Sequence, residues 1–283
     1  MARVARATPA REAAPASEAA GASEAAGARR PALIGHRGDP YAYRENTLAS
    51  LRSALAAGAD AVEIDVRRTA DGTPVLLHDA TLKRLWGHDR PLSSLTFTEV
   101  GDVTAGGVPT LRDALALTAG YPAARALIDL PDPSAAYAAV AEVHESGAAD
   151  RVYYCGGGLA MLAVRAEDPD AELALSWSRA APPRPVLLDR IRPRWLNYHF
   201  GLVTADLVRR AHDDGYACAA WTVDTPRAVR RLLRAGVDAV TTNRVAALRP
   251  LVQGTAGARS AQPGRRHAAQ RAAAAAGTSR ARR

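Results

Sequence analysis

Lysine is almost missing from this chain: Lys83 is the single lysine among 37 basic residues. With alanine so abundant, a coding preference for Arg and Ala accounts for this more simply than polyanion binding. Long apolar runs are missing too. No stretch approaches the ~20 residues that a membrane-spanning helix requires, which excludes a helical span. Met1 to Arg30 cycles through Ala, Arg, Glu, Pro and Ser without a continuous apolar core or a small-residue cleavage pattern, so no secretory leader is expected and the cytoplasm is the expected compartment. Cysteine is limited to Cys155 and Cys218, each inside an apolar, strand-like stretch. Buried free thiols are expected there, not a bridge. Several phosphate and nucleophile signatures are also absent. Lys83 sits in Thr-Leu-Lys-Arg, not in a Walker A loop, and the Rossmann fingerprint is not completed after Gly156-Gly157-Gly158. Neither a Gly-x-Ser-x-Gly elbow nor a Cys/His metal cluster occurs.

The formal charge of +8 belongs to the ends of the chain. Gln253 to Arg283 holds seven arginines and no acid, and Met1 to Arg30 holds five arginines against three glutamates. The body from Pro31 to Val252 is therefore close to neutral. This divides the chain into an Ala/Arg/Glu-rich tail over 1–30, one domain over 31–252, and an Arg/Ala-rich tail over 253–283. Both tails are expected to be disordered. No specific nucleic-acid partner is expected, and the C-terminal tail should touch polyanions only weakly and without specificity.

Within the body, short β-like runs alternate with helical segments, the pattern of βα units around a parallel sheet. Strands are expected near Ala32 to Gly35, Ala61 to Val66, Ala126 to Leu130, Arg151 to Cys155, Glu172 to Ser176, Trp195 to Tyr198, Ala217 to Val223 and Asp238 to Thr242. Eight such units close a (β/α)8 TIM barrel. Helix signals support the count. Glu45-Asn46-Thr47 opens a helix ending at Gly58, Thr225-Pro226 opens one ending at Gly236, and Thr204 to Gly215 is punctuated alike. The stretch from 67 to 110 is too long for an ordinary βα connection and reads as an insertion, with a further strand at Pro74 to Leu77.

The chemistry gathers at strand ends. In Ala61-Val62-Glu63-Ile64-Asp65-Val66, two carboxylates two residues apart share one strand face, and they would point into the barrel. Asp129 interrupts the next apolar strand in the same way. Buried carboxylates without a counter-charge are unfavourable, so one stays protonated, nearby arginines pair with them, or a divalent cation sits between them; the cation is the expected answer, and all-oxygen ligands suit Ca2+ or Mg2+ better than Zn2+. His36 and His78 each follow an apolar strand and would face the same mouth. Phosphodiester hydrolysis needs a base for the attacking hydroxyl and an acid for the leaving oxygen, and two imidazoles supply both. Arg37, beside His36, offers a planar fork for phosphate oxygens. His88, His144, His212 and His267 lack this setting, and His199 is left open.

These residues fall in ordered segments: His36-Arg37-Gly38, Glu45-Asn46-Thr47, Gly58 to Val66, Thr69-Ala70-Asp71-Gly72, Val75 to Asp79, Val108 to Leu111, Ala220 to Val223 and Gly236 to Asn243. Together they resemble the glycerophosphodiester phosphodiesterase family over most of Leu33 to Leu251. The resemblance implies His36 and His78 as acid and base, without saying which is which. It implies Glu63 and Asp65 as metal ligands, with Asp129 and Glu45 joining them near the metal, Arg37 at the phosphate and Trp221 against the glycerol moiety. Asn46 reads as a helix cap. The chain departs from the family pattern after the third barrel strand, where a Glu and, two residues on, a Lys are usual but Asp129 and Pro131 stand here. Asn243 stands where Asp is usual, which would alter a cap or turn contact. Two other readings compete with hydrolysis to glycerol 3-phosphate and an alcohol. One is a catalytically weak barrel that binds phosphate ligands, and the other a phospholipase-type reaction forming a cyclic phosphate.

Overall fold

Apolar runs bounded by turns become the barrel strands, and the segments opened by Thr47, Thr110, Thr204 and Thr225 become capped helices of the wall. A computed structural model describes residues 30–253, so nearly all of both expected tails lies outside the described residues. Arg30, counted in the N-terminal tail, belongs to the body, because its guanidinium pairs with Asp60 at 2.6 and 2.8 Å.

β1 (Ala32–His36) leads to α1 (Leu48–Ala56), and β2 (Ala61–Arg68) leads into the insertion. There β3 (Pro74–Leu76), β4 (Thr81–Leu82), α2 (Lys83–Trp86), β5 (His88–Pro91) and α3 (Phe97–Thr104) precede α4 (Leu111–Ala119). Then follow β6 (Arg125–Asp129) with α5 (Ala136–Glu145), β7 (Val152–Gly156) with α6 (Gly158–Glu167), and β8 (Leu173–Trp177) with α7 (Pro185–Ile191). β9 (Trp195–His199) with α8 (Ala205–Asp213), β10 (Ala217–Trp221) with α9 (Pro226–Ala235), and β11 (Ala239–Thr242) with α10 (Val245–Gln253) complete the wall. Parallel pairing runs β1-β11-β10-β9-β8-β7-β6-β2 and closes from β2 back to β1, making an eight-stranded TIM barrel. β3 pairs antiparallel with the far end of β2, Val66 opposite Leu76.

The helix boundaries follow their caps. Thr225 accepts the Ala228 N–H, Pro226 fills the first turn, and Gly236 closes α9 in the left-handed region at φ 95°. Thr204 caps α8 in the same way. Side chains on β2 alternate between two cores. Val62, Ile64 and Val66 pack outward against the helices, whereas Ala61 joins Ile34, Leu127, Tyr153, Ala174, Ala219 and Ala239 inside the barrel. Below that apolar layer, Glu172 accepts from Arg125 and from Trp195 Nε1 at 2.7 Å, and the Arg125 guanidinium lies over Tyr153. This closes the N-terminal end.

Towards the other end the interior turns polar. Strand register, with the stagger of about one residue per strand that closes eight strands, layers the inward side chains. Glu63, Cys155, Asn197 and Thr241 form one layer, His36, Asp129, Ser176 and Trp221 the next, and Asp65, His199 and Asn243 the rim. The functional candidates thus share the C-terminal mouth.

Candidate active site

Three carboxylates meet on adjacent strands. Asp65 of β2 is paired in register with Asp129 of β6, and single oxygens of Glu63, Asp65 and Asp129 lie within 4.8 Å of one another. Such crowding opposes ionisation. Burial, then the charges of Asp65 and Asp129, push Glu63 well above the usual carboxylate range. Burial, with the Asp65 charge next, pushes Asp129 up to about 6. An anionic, all-oxygen donor set that holds protons when nothing else offsets its charge fits a hard divalent cation.

Arg37 threads this cluster. Its backbone N–H donates to Glu63 Oε2 at 2.8 Å, its Nε lies 3.0 Å from Asp65 Oδ2, and its Nη1 donates to Glu45 Oε1 at 2.8 Å. The main chain reaches these positions through left-handed residues, Arg37 at φ 58° and Gly38 at φ 88°. A side chain at Gly38 would collide with the Ser50 backbone at 2.4 Å, so only glycine lets this turn pass under α1. Glu45, expected near the metal, stands outside the three-carboxylate group. It is ion-paired on both sides, accepting Arg37 and both terminal nitrogens of Arg84 at 2.7 and 3.0 Å. Burial works against its ionisation, but Arg84 and Arg37 together hold it below its ordinary value.

Asn46 corrects a second expectation. Thr47 caps α1. Asn46 is buried at φ 56° and donates from Nδ2 to Asp65 Oδ2 at 2.8 Å, while its Oδ1 accepts the Asp65 N–H. It fixes a carboxylate instead of a helix end.

Each histidine has its own orienting partner. His36 Nδ1 is 2.7 Å from Asn243 Oδ1. Asn243 in turn donates from Nδ2 to Asp224 Oδ2 at 2.7 Å and from its backbone to Asp224 Oδ1 at 2.8 Å. Asp224 therefore turns the amide oxygen towards His36, which puts the imidazole proton on Nδ1 and leaves Nε2 bare. Burial, then Arg37, lowers the His36 pKa and keeps the ring neutral. His78 is different. Its Nδ1 lies 2.7 Å from Asp79 Oδ1, and Asp79 Oδ2 accepts Arg84 Nε at 2.6 Å. That arginine, first, and His78 hold Asp79 at about 2, so an ionised carboxylate sits behind the imidazole.

Residues 36–247 match the model of the glycerophosphoryl diester phosphodiesterase family. The chain belongs to that family. A glycerophosphodiester phosphodiesterase of Caldanaerobacter subterraneus is 25% identical over 227 residues, covering 75% of this chain and 93% of the relative. Glycerophosphodiester phosphodiesterase 1 of Bos taurus is 39% identical over 99 residues, a match spanning 31% of this chain and only 30% of the bovine protein. Among solved structures, an Oleispira antarctica phosphodiesterase in complex with the product sn-glycerol-3-phosphate superposes with a TM-score of 0.72 at 22% identity, covering 79% and 97% of the two chains. That last likeness is one of fold.

In this member of the glycerophosphoryl diester phosphodiesterase family, Trp221 occupies the half of the mouth opposite β2. Its Nε1 donates to the Asn197 carbonyl at 3.1 Å, and His199, left open by the sequence, meets its ring edge-on at 5.7 Å. His144 and His212 pair with Asp168 and Asp238 away from the carboxylates. His88 lies in the insertion, and His267 is outside the described residues. Sequence reasoning missed Asp224, Asp79, Arg84 and Cys155, and it gave Asn46 and Asn243 other tasks. Asp79 had a signal, since it follows His78 directly. The thiols of Cys155 and Cys218 are buried and free, as expected.

Proposed function

We propose that the chain hydrolyses glycerophosphodiesters to glycerol 3-phosphate and an alcohol, using a divalent cation, Ca2+ or Mg2+, held by Glu63, Asp65 and Asp129. The observation that carries this reading is the contrast between the two histidines beside one carboxylate cluster. His36, neutral with a bare Nε2, is suited to take the proton from the attacking water. His78, backed by ionised Asp79, is suited to carry a proton on Nε2 and give it to the leaving alkoxide as the phosphorus–oxygen bond breaks. When bound, the cation offsets the carboxylate charge and polarises a phosphate oxygen. Asn46 holds Asp65 and Arg37 holds Glu63, so both ligands are oriented before substrate arrives. Trp221 offers an aromatic wall for the glycerol moiety.

The substrate assignment follows the family and the glycerophosphodiester phosphodiesterase of Caldanaerobacter subterraneus, matched over most of both chains. No helix among the described residues is long and apolar enough to cross a membrane, and two buried free thiols fit a reducing compartment, so the cytoplasm is the proposed location. A barrel that only binds phosphate ligands is the weaker reading, because a neutral imidazole with its Nε2 free to accept, as at His36, serves proton transfer and offers an anionic phosphate nothing.

The test is release of glycerol 3-phosphate from several glycerophosphodiesters, with and without chelator. Metal-dependent release that Glu63→Gln and His36→Ala abolish is expected. Turnover surviving both substitutions, or a cyclic phosphate as the only product, would overturn the proposal.

A further inference from the structure

Arg67 continues the inward row of β2 above Glu63 and Asp65, and its guanidinium is only partly used. Its Nε donates to the His78 carbonyl at 2.7 Å. Among the described residues nothing accepts from its two terminal nitrogens, and no carboxylate forms an ion pair with it. Asp132 lies within reach of its field: the Ser134 N–H chiefly, with the charges of Arg67 and Arg68 adding to it, holds that carboxyl low, but no contact forms. The arginines that touch the carboxylates are committed, and Arg244 and Arg179, which follow β11 and β8, lie over the rings of Tyr41 and Trp177. Arg37 is divided between Asp65 and Glu45, and Arg84 between Glu45 and Asp79. On the neighbouring strand β6, the chain leaves Asp129 through Leu130 and Pro131 and brings no cation to the mouth. A phosphodiester entering above Glu63 and Asp65 would thus meet one half-buried guanidinium with an open edge.

We propose that Arg67 binds the non-bridging oxygens of the substrate phosphate, its Nε anchored on the His78 carbonyl and its two terminal nitrogens donating as a fork. A guanidinium suits this task because one edge can be fixed by the protein while the other stays planar and charged towards the anion. Anchoring on His78 also ties the phosphate grip to the residue that protonates the leaving group, so both are placed by one hydrogen bond. The inference rests on the phosphodiesterase reading above, and it adds a binding residue to it.

The test uses the full chain loaded with Mg2+ and titrated with inorganic phosphate in a calorimeter, alongside KM and kcat for glycerophosphocholine. Arg67→Gln can still donate to the His78 carbonyl but carries no charge. Its phosphate Kd should rise about tenfold, the size expected for one lost charge-assisted contact, and KM should rise more than kcat falls, with Mg2+ affinity unchanged. Arg67→Lys should fall between Gln and wild type. Arg68→Gln, one residue on and facing away, removes the same charge and should match wild type. Phosphate affinity in Arg67→Gln within about twofold of wild type, or an equal loss in Arg68→Gln, would overturn the assignment. Arg67-dependent phosphate binding without any turnover would uphold it while refuting hydrolysis.

Discussion

The Cys155 thiol lies 3.1 Å from Asp129 Oδ1, and the two residues sit opposite each other on the paired strands β7 and β6. A carboxylate oxygen can only accept here, so the thiol donates. Asp129 is one methylene shorter than the glutamate usual at this place in the family, and the sulfur fixes which way its short side chain turns. Cys155→Ala is expected to weaken Mg2+ or Ca2+ binding by about three- to tenfold, the size of one ordinary hydrogen bond, because a thiol is a weak donor. Cys155→Ser, which can still donate, should stay within about twofold of wild type. Calorimetric metal titration of the three proteins decides it, and equal affinities would remove Cys155 from any role at the site.

Metal-free protein should carry the repulsion among its carboxylates as a pH-dependent loss of stability. Burial and the Asp65 charge raise Asp129 to about 6 from 3.8, so the folded chain binds this proton more tightly than the unfolded chain does. Stability from this group is gained as pH falls through about 6 and lost as pH rises above it. His36, lowered by burial and Arg37, runs the opposite way, which is why the comparison is with a variant that keeps the histidine. In chelator, Asp129→Asn should be more stable than wild type at pH 7.5, by up to about 3 kcal/mol. The gap should narrow by pH 5. Urea unfolding at the two pH values measures it, and saturating Mg2+ should reverse the order. A variant no more stable than wild type at pH 7.5 would contradict the crowding.

Asn243 is expected to act through His36 and not through the metal. Asn243→Ala should lower kcat by about ten- to a hundredfold while Mg2+ affinity stays unchanged. Asn243→Asp places a second carboxylate beside Asp224 and next to the imidazole, which favours the charged ring. The acidic limb of the kcat/KM profile should then move to higher pH, because the base must lose its proton before it can act. An unmoved limb would mean that His36 is not the base.

The strands, the helix caps and the carboxylate pair were legible because they are local. Alternation within β2 is enough to put Glu63 and Asp65 on one face, and Thr225-Pro226 with Gly236 delimits α9 within a few residues. The partners that orient the site were not legible. Asn243 reaches His36 only because β11 lies beside β1 at barrel closure, and Cys155 faces Asp129 through the register of β6 and β7. Asn46 resembles a cap in sequence, and only the turn through Arg37 and Gly38 turns it towards Asp65. The insertion hid its contribution for another reason. β4 spans two residues and α2 four, too short for periodicity to mark them, so nothing flagged Arg84.

Arg84 ties the carboxylate behind His78 to the one that holds Arg37, and it does so from the surface. It donates from Nε to Asp79, the residue behind His78, and from both terminal nitrogens to Glu45, which also holds Arg37. Its side chain is 46% exposed, and ion pairs so open to water contribute little to folding. Arg84→Ala should therefore shift the unfolding free energy by less than about 1 kcal/mol. Its effect on catalysis should be larger. Without the arginine, Asp79 loses the main cause of its low pKa, the carboxylate is free to rotate away from His78, and Glu45 is left with Arg37 alone. We expect kcat to fall about tenfold with KM changed less, and Arg84→Lys to recover part of it, since one ammonium cannot span both acids. Steady-state kinetics beside thermal unfolding separates the two effects. A kcat unchanged in Arg84→Ala would show that the insertion covers the mouth without setting its chemistry.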